Sequence, residues 1–434
     1  MCIRDRETMD RIISPKHTIN GEIKIPSDKS ITHRAIMLSS ISNDYVTVKN
    51  PLLSEDTIST INCMRNLGVN IDISKNELKI KGVGLHGLKK PPLLNSNNSG
   101  TTMRLLTGIL CGQNFSSEIT GDSSLINRPM DRIIIPLSKM GASIRSKYDN
   151  KKAPLIIDPP NFIENKEIFV TKSAQVKSSI LFFGLYSPFP VSVKEKFKSR
   201  NHTYLMLKSM GASIKKENDL ITLNHTEKLN GNDINIPSDI SSASYFIALA
   251  LLLKNSEILI KNVGINKTRI GILNVLKRMN ADIKILNKRK YNEEDVGDIL
   301  IKSSYLKSTI IKESEIPLLI DEIPVLSVLM ALSEGKSKIL GASELKYKES
   351  NRLSLIYKNL KNMGAKIKIN NDNIEILGVE SLKGAKILTK SDHRIAMAFT
   401  IAGLVADNDT KIKNSECVNI SYPEFFNTIE KFVF

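Results

Sequence analysis

The residues best suited to chemistry stand in short polar clusters, each running straight into an apolar stretch. Lys29, Ser30 and Arg34 open one in SDKSITHRAIMLSS; Asn98, Gly100, Thr101 and Arg104 open another in NSGTTMRLLTGIL. Ser173, Gln175 and Lys177 lead SAQVKSSILFFGLY, Asp321 and Glu322 lead DEIPVLSVLMALSEG, and Asp392, His393 and Arg394 lead SDHRIAMAFTIAGLV. A helix that starts at such a cluster presents unbonded N–H groups and about half a positive charge, which suits an anion. Each helix end is worth only about 0.3 to 2 kcal/mol, so holding a phosphate-bearing ligand also takes fixed cations. Arg34, Arg128 in NRPM, Arg352 in KESNRL and Arg394 in SDHR can supply them, because the guanidinium fork matches phosphate and carboxylate oxygens. Singly, each arginine reads more simply as a solvated surface side chain. As a set at helix starts and turns, together with acids, they read as an anion site.

Two acids complete the set. Asp321 lies in the apolar setting LLIDEIP, where its carboxylate would be partly desolvated, and Glu349 lies between cations in KYKES. Alone, Asp321 is explained as a helix cap and Glu349 as an ion-pair partner. The chain has no nucleophile elbow, no GxxxxGK[ST], no HExxH and no GxGxxG after a strand, so kinase, zinc-hydrolase and dinucleotide readings lack support. His33, His202 and His393 are too scattered for a metal site, and no metal is expected.

The elements that must position these residues repeat. Amphipathic runs end at Gly68, Gly141, Gly211, Asn280 and Gly364, residue types suited to the left-handed position after a helix, and an alternating strand follows each. The intervals are roughly 70 to 84 residues. The polar clusters, counting a further one at Ser238 in SDISSASYFIALALLL, keep the same rhythm and predict six helices, each opened by Ser, Asp or Asn. Six units in 434 residues predict two domains of three units each. The six helices are almost wholly apolar, which predicts helices buried inside sheets, an unusual α/β arrangement.

Composition narrows the class. Apolar content of 41% and charged content of 25% are those of a soluble globular chain, and no apolar run is long enough to span a membrane. The net charge of +17 is spread along the chain without a basic tail, with 5% aromatics and no Trp. That distribution fits an enzyme of small anions better than a nucleic-acid-binding repeat protein. Cys2, Cys63, Cys111 and Cys417 form no CxxC pair and are expected to be buried spectator thiols in a reducing cytoplasm. Residues 1–8 fit no later pattern; they read as a disordered or non-native leader, with Met9 as the start.

In order, SDKSITHRA, NSGTTMRL, NRPMDRI, SAQVKS, DEIPVL, KESNRL and SDHRIAMA resemble the signature segments of 5-enolpyruvylshikimate-3-phosphate synthases, members of the enolpyruvyl transferases. The resemblance runs from about Ile13 to Phe426. It implies a two-domain inside-out α/β barrel, each domain three βαβαββ repeats with helices packed inside sheets. It places an N-terminal lobe at 27–236 and a discontinuous C-terminal lobe at 9–26 plus 237–434. It implies a cytoplasmic monomer without cofactor that joins phosphoenolpyruvate to shikimate 3-phosphate.

Carried over by resemblance, Lys29, Ser30, Arg34, Ser173, Ala174, Gln175, Ser199, Arg200, Asp321 and Lys348 would meet shikimate 3-phosphate. Lys29, Asn98, Gly100, Arg128, Gln175, Arg352 and Arg394 would hold phosphoenolpyruvate. Asp321 would take the proton of the 5-hydroxyl, and Lys29 or Glu349 would move the methylene proton. Gly100 would border the space that the inhibitor glyphosate also occupies. The chain departs from the family at Ala174, where many members have a second Ser, at Glu344, where some have Asn, and around Ile420, where other branches have Lys. The sister UDP-N-acetylglucosamine enolpyruvyl transferases are the nearest rival. Many of them carry a reactive Cys in the loop that here reads TGDSSLINRPM, which has none.

Overall fold

The computed structural model describes residues 9–160, 167–170 and 173–434; the expected leader at 1–8, with Cys2, lies outside them. The chain divides into two compact units. Among the described residues, an N-terminal unit consists of Ser27–Pro237 with Lys290–Asp295, and a C-terminal unit of 9–26, Ser238–Arg289 and Val296–Phe434.

In the N-terminal unit one repeat shows the common plan. Strand Leu94–Asn95 leads into helix Gly100–Leu110, strand Ser117–Thr120, helix Asp131–Lys139 and the hairpin Ser143–Ser146 with Leu155–Asp158. The first strand is parallel to the second, which pairs antiparallel with the hairpin. Glu167–Val170 to Leu220–Leu223 repeats this order. The remaining sheet takes its first strand from the far end of the unit, where Ile234–Asn235 pairs parallel with Tyr45–Lys49.

The C-terminal unit is completed the same way. Asn20–Ile23 runs parallel to Glu257–Gly264, and Ile310–Ile311 to Lys336–Ile339. The third sheet has three strands: Thr410–Ile412 pairs parallel with Lys386–Ile387 and antiparallel with Arg11–Ile13.

Helix ends form where the residue types demand. Gly68, Gly141, Gly211 and Gly364 have φ of 89°, 95°, 82° and 84°, and Asn280 has 66°. A left-handed residue there turns the chain out of the helix into its strand, at a steric cost Gly avoids and Asn tolerates. The helices opened by the polar clusters are the buried ones. Residues Ile31–Ser40 and Ile240–Leu251 are buried throughout. Around them the strands alternate: Val46, Val48, Leu78 and Ile80 face in, while Lys49, Lys79 and Lys81 face out. Each unit therefore has its own apolar core of helices enclosed by sheets. At about 1.5 to 3 kcal/mol gross per buried large apolar side chain, these helices anchor the units. Lys49, Lys79 and Lys81 are carried on strand faces that point outward.

Five of the six helix openings are capped by the expected residue types, in four of them by the second residue of the polar cluster: Asp28, Ser99, Ser173, Asp239 and Asp392 each accept from a backbone N–H of the first turn. The fifth differs. Ile323–Ala331 begins after Glu322, which makes no capping bond, and Pro324 follows at the second position. Proline has no N–H for a cap to serve. The Glu322 carboxylate turns instead to the Ser241 hydroxyl and lies 3.5 Å from Arg269.

Candidate active site

In the N-terminal unit three helix starts carry cations. Lys29, first in its helix, meets Asp56 at 2.7 Å; that acid lies in the first turn of Glu55–Asn66, where the helix dipole favours it. One turn on, Arg34 is 2% exposed and donates to Thr203 Oγ1 (2.7 Å), Ser178 Oγ (2.9 Å) and the Ser30 carbonyl (2.8 Å). Arg200 Nη1 donates to the Ser30 hydroxyl at 3.3 Å. Thus Lys29, Ser30, Arg34 and Arg200 come together as one patch.

The second and third helix starts make another patch. Arg128 Nη2 donates to Asn98 Oδ1 (3.0 Å), and Asn98 Nδ2 to Asp122 (2.7 Å). Arg104 Nη1 donates to Gln175 Oε1 at 2.8 Å, and Gln175 Nε2 to the Thr101 hydroxyl at 3.1 Å. At Gly100 a Cβ would stand 3.2 Å from Arg128 Nη1 and 3.5 Å from Arg104 Nη1, so the missing side chain gives these guanidiniums room. Ser173 caps the third helix, with Ala174 as its first residue.

His33 lies beneath these starts, fully buried, with Nδ1 2.6 Å from Thr60 Oγ1. Burial, reinforced by the charges of Lys29 and Arg34, pushes its pKa well below the usual imidazole range, so it is neutral. The three described cysteines are buried; burial lifts Cys63 and Cys417 to about 12, which makes them inert as nucleophiles at neutral pH.

The C-terminal unit gathers its acids on one arginine. Arg352, first residue of Arg352–Asn362 and 1% exposed, donates from Nε to Asp392 (2.9 Å), from Nη2 to Glu349 (2.6 Å) and from Nη1 to Asp321 (3.2 Å). Lys348 Nζ lies 3.7 Å from Asp321. Burial opposes the charge of Arg352, but the carboxylates of Asp392, Glu349 and Asp321 outweigh it and hold the guanidinium protonated. Asp321 does not cap its helix, since Glu322 holds that position. Arg394 is 4% exposed, and its backbone N–H is bonded by Asp392. Burial again opposes charge, while Tyr245, Asp321, Asp239 and Glu322 around it hold its pKa well above the usual range. Its Nη1 has no hydrogen-bond partner among the described residues. A buried guanidinium N–H left open is a ready donor for an anion.

The four arginines that singly read as solvated are therefore all buried, none above 9% exposed. Sequence reasoning passed over Asp56, the Lys177–Glu195 pair and the role of Asp392 under Arg352. Lys177 did carry a signal, because a cation inside the otherwise apolar SAQVKSSILFF must find a buried partner. Among the described residues no group of His, Cys, Asp or Glu could hold a metal ion, and no helix is long and apolar enough to cross a membrane.

Buried guanidiniums and acids thus gather at helix starts on βαβαββ repeats, in an inside-out α/β fold with the helices within the sheets. A family model for EPSP synthase (3-phosphoshikimate 1-carboxyvinyltransferase) matches residues 13–429, and the chain belongs to that family. Curated relatives named 3-phosphoshikimate 1-carboxyvinyltransferase include one from Thermoanaerobacter sp. (strain X514), 48% identical over 97% of this chain and 100% of the relative. Another, from Petrotoga mobilis, is 47% identical over 96% and 98%. The solved EPSP synthase of Acinetobacter baumannii superposes with a TM-score of 0.87 at 38% identity, covering 98% of both chains.

Proposed function

We infer that this chain transfers the enolpyruvyl group of phosphoenolpyruvate to the 5-hydroxyl of shikimate 3-phosphate, releasing phosphate, in the shikimate pathway. Family membership over nearly the whole chain supports the reaction. At the level of residues, the carrying observation is Asp321, an acid 3.2 Å from Arg352 Nη1 and 3.7 Å from Lys348 Nζ.

In this reading shikimate 3-phosphate is met by Lys29, Ser30, Arg34, Ser173, Ala174, Gln175, Ser199, Arg200 and Lys348. Phosphoenolpyruvate is held by Lys29, Asn98, Gly100, Arg128, Gln175, Arg352 and Arg394. Asp321 takes the proton of the 5-hydroxyl as its oxygen bonds to C2 of phosphoenolpyruvate, and an acid, Lys29 or Glu349, protonates C3. The product of this addition is a tetrahedral ketal phosphate. Loss of phosphate then re-forms the double bond as the C3 proton returns to the same group. The fixed cations hold the phosphate and carboxylate charge throughout, a task for prearranged side chains that needs no cofactor. The chain works as a cytoplasmic monomer.

Phosphate release tests the reading directly. With phosphoenolpyruvate present, release is expected on adding shikimate 3-phosphate and not on adding UDP-N-acetylglucosamine. The reverse pattern would move the chain to the sister activity.

A further inference from the structure

Inside the N-terminal unit, Lys177 and Glu195 form an ion pair of 2.8 Å with both side chains at most 2% exposed. The pair is costly where it stands. Two charges leave water, and the cation lies near the positive end of its own helix, Ala174–Gly184. Apolar side chains of similar size would fill the space as well, so the pair has another use.

Its surroundings show what it holds. Glu195 ends the strand Val191–Glu195, and its carboxylate accepts from the backbone N–H of Ser199 (3.2 Å) and from the Ser199 hydroxyl. Lys177 Nζ donates to the Ser199 carbonyl at 3.2 Å. The ion pair thus engages the N–H, the carbonyl and the hydroxyl of Ser199; to donate to a phosphate the hydroxyl proton would turn away from Glu195, whose carboxylate keeps the N–H. The next residue, Arg200, reaches the Ser30 hydroxyl, and Ser178, next to Lys177, accepts from Arg34. The pair therefore ties the Ser199–Arg200 segment to the helix that also braces Arg34.

We propose that Lys177 and Glu195 are positioning residues for shikimate 3-phosphate, holding Ser199 and Arg200 in register with Ser30 and Arg34. The inference rests on the assignment of Arg200 to the substrate phosphate. Charge on both partners is needed for the grip. Burial brings Lys177 down to about 8 against the opposing pull of Glu195, and Lys216 and Arg34 push the same way as burial. The pair should therefore weaken as pH rises through about 8, when the ammonium loses its proton.

Steady-state kinetics and calorimetry decide it. Lys177→Met and Glu195→Gln are each expected to raise KM for shikimate 3-phosphate about tenfold or more, leaving KM for phosphoenolpyruvate within about twofold. In the wild type, affinity for shikimate 3-phosphate should fall above pH 8, and this step should vanish in Lys177→Met. Unchanged KM for shikimate 3-phosphate, or equal rises for both substrates, overturns the proposal. Should the single variants not fold, Lys177→Met/Glu195→Leu removes both charges together: a raised KM for shikimate 3-phosphate upholds the proposal and a wild-type value sinks it. If that also fails to fold, the wild-type titration decides, a flat affinity from pH 7 to 9 counting against. Arg200→Met separates the two levels. If it leaves KM for shikimate 3-phosphate unchanged, the phosphate-site assignment is wrong; if it raises KM while the pair variants do not, only the positioning role falls.

Discussion

Buried arginines are partnered differently in two clusters of the molecule. Arg34 in the N-terminal unit donates to two hydroxyls and a carbonyl, and Arg128 to an amide oxygen and, at 3.4 Å, the Ser124 hydroxyl. Arg352 in the C-terminal unit is surrounded by Asp392, Glu349 and Asp321. Neutral acceptors such as these orient a guanidinium without offsetting its charge. Carboxylates offset part of it, and the arginine in turn holds Asp321 and Glu349 in fixed places, as the proposed proton transfers require. In the proposed reaction the first setting suits capture of an anion, and the second suits the placing of acids for proton transfer.

The sharpest way to break this comparison is Asp321→Asn. Turnover should fall about 10²- to 10⁴-fold, the usual contribution of a positioned base. The thermal midpoint should change little, because Arg352 keeps Asp392 and Glu349. A variant with more than about a tenth of the wild-type rate would reduce Asp321 to a structural acid.

Next in size is a contrast in stability, read by urea unfolding. Arg352→Met strands buried carboxylates and should cost about 3 to 5 kcal/mol. Arg34→Met removes the donor to two hydroxyls and a carbonyl and should cost less, on the order of 1 to 3 kcal/mol. Equal losses would mean that the two arginines do not differ as their partners imply.

The smallest expected effect is at Gly100. In Gly100→Ala the new Cβ stands 3.2 Å from Arg128 Nη1, so that guanidinium must shift by a few tenths of an ångström. The longer ligand glyphosate should suffer more than phosphoenolpyruvate, its inhibition constant rising by a larger factor than KM. Equal factors, or a wild type already indifferent to glyphosate, would remove Gly100 from the pocket.

Much of this protein was legible from residue order alone, because the signals involved act over a few residues. Left-handed Gly and Asn stop the helices, Asp and Ser cap all but one of the inner helices, and an apolar run as long as Ile240–Leu252 is long enough for a helix that must be buried. These are local backbone preferences and periodicities, and they also placed Lys29, Arg34, Arg128, Arg352 and Arg394 at helix starts and turns. What only the tertiary structure decided was partnership over distance. Ile234–Asn235 completes the sheet begun at Tyr45, and Arg11–Ile13 joins Thr410–Ile412. Lys290–Asp295 folds with the N-terminal unit, where Glu294 meets His202 across 92 positions at 2.6 Å. Lys177 selects Glu195, and Arg352 gathers Asp321 and Asp392. In a chain with 62 basic and 45 acidic residues almost any cation could be drawn to almost any acid. Long-range attraction has no period and no fixed spacing; the packing of the apolar helices chooses which charges are buried side by side, and so which of them can act.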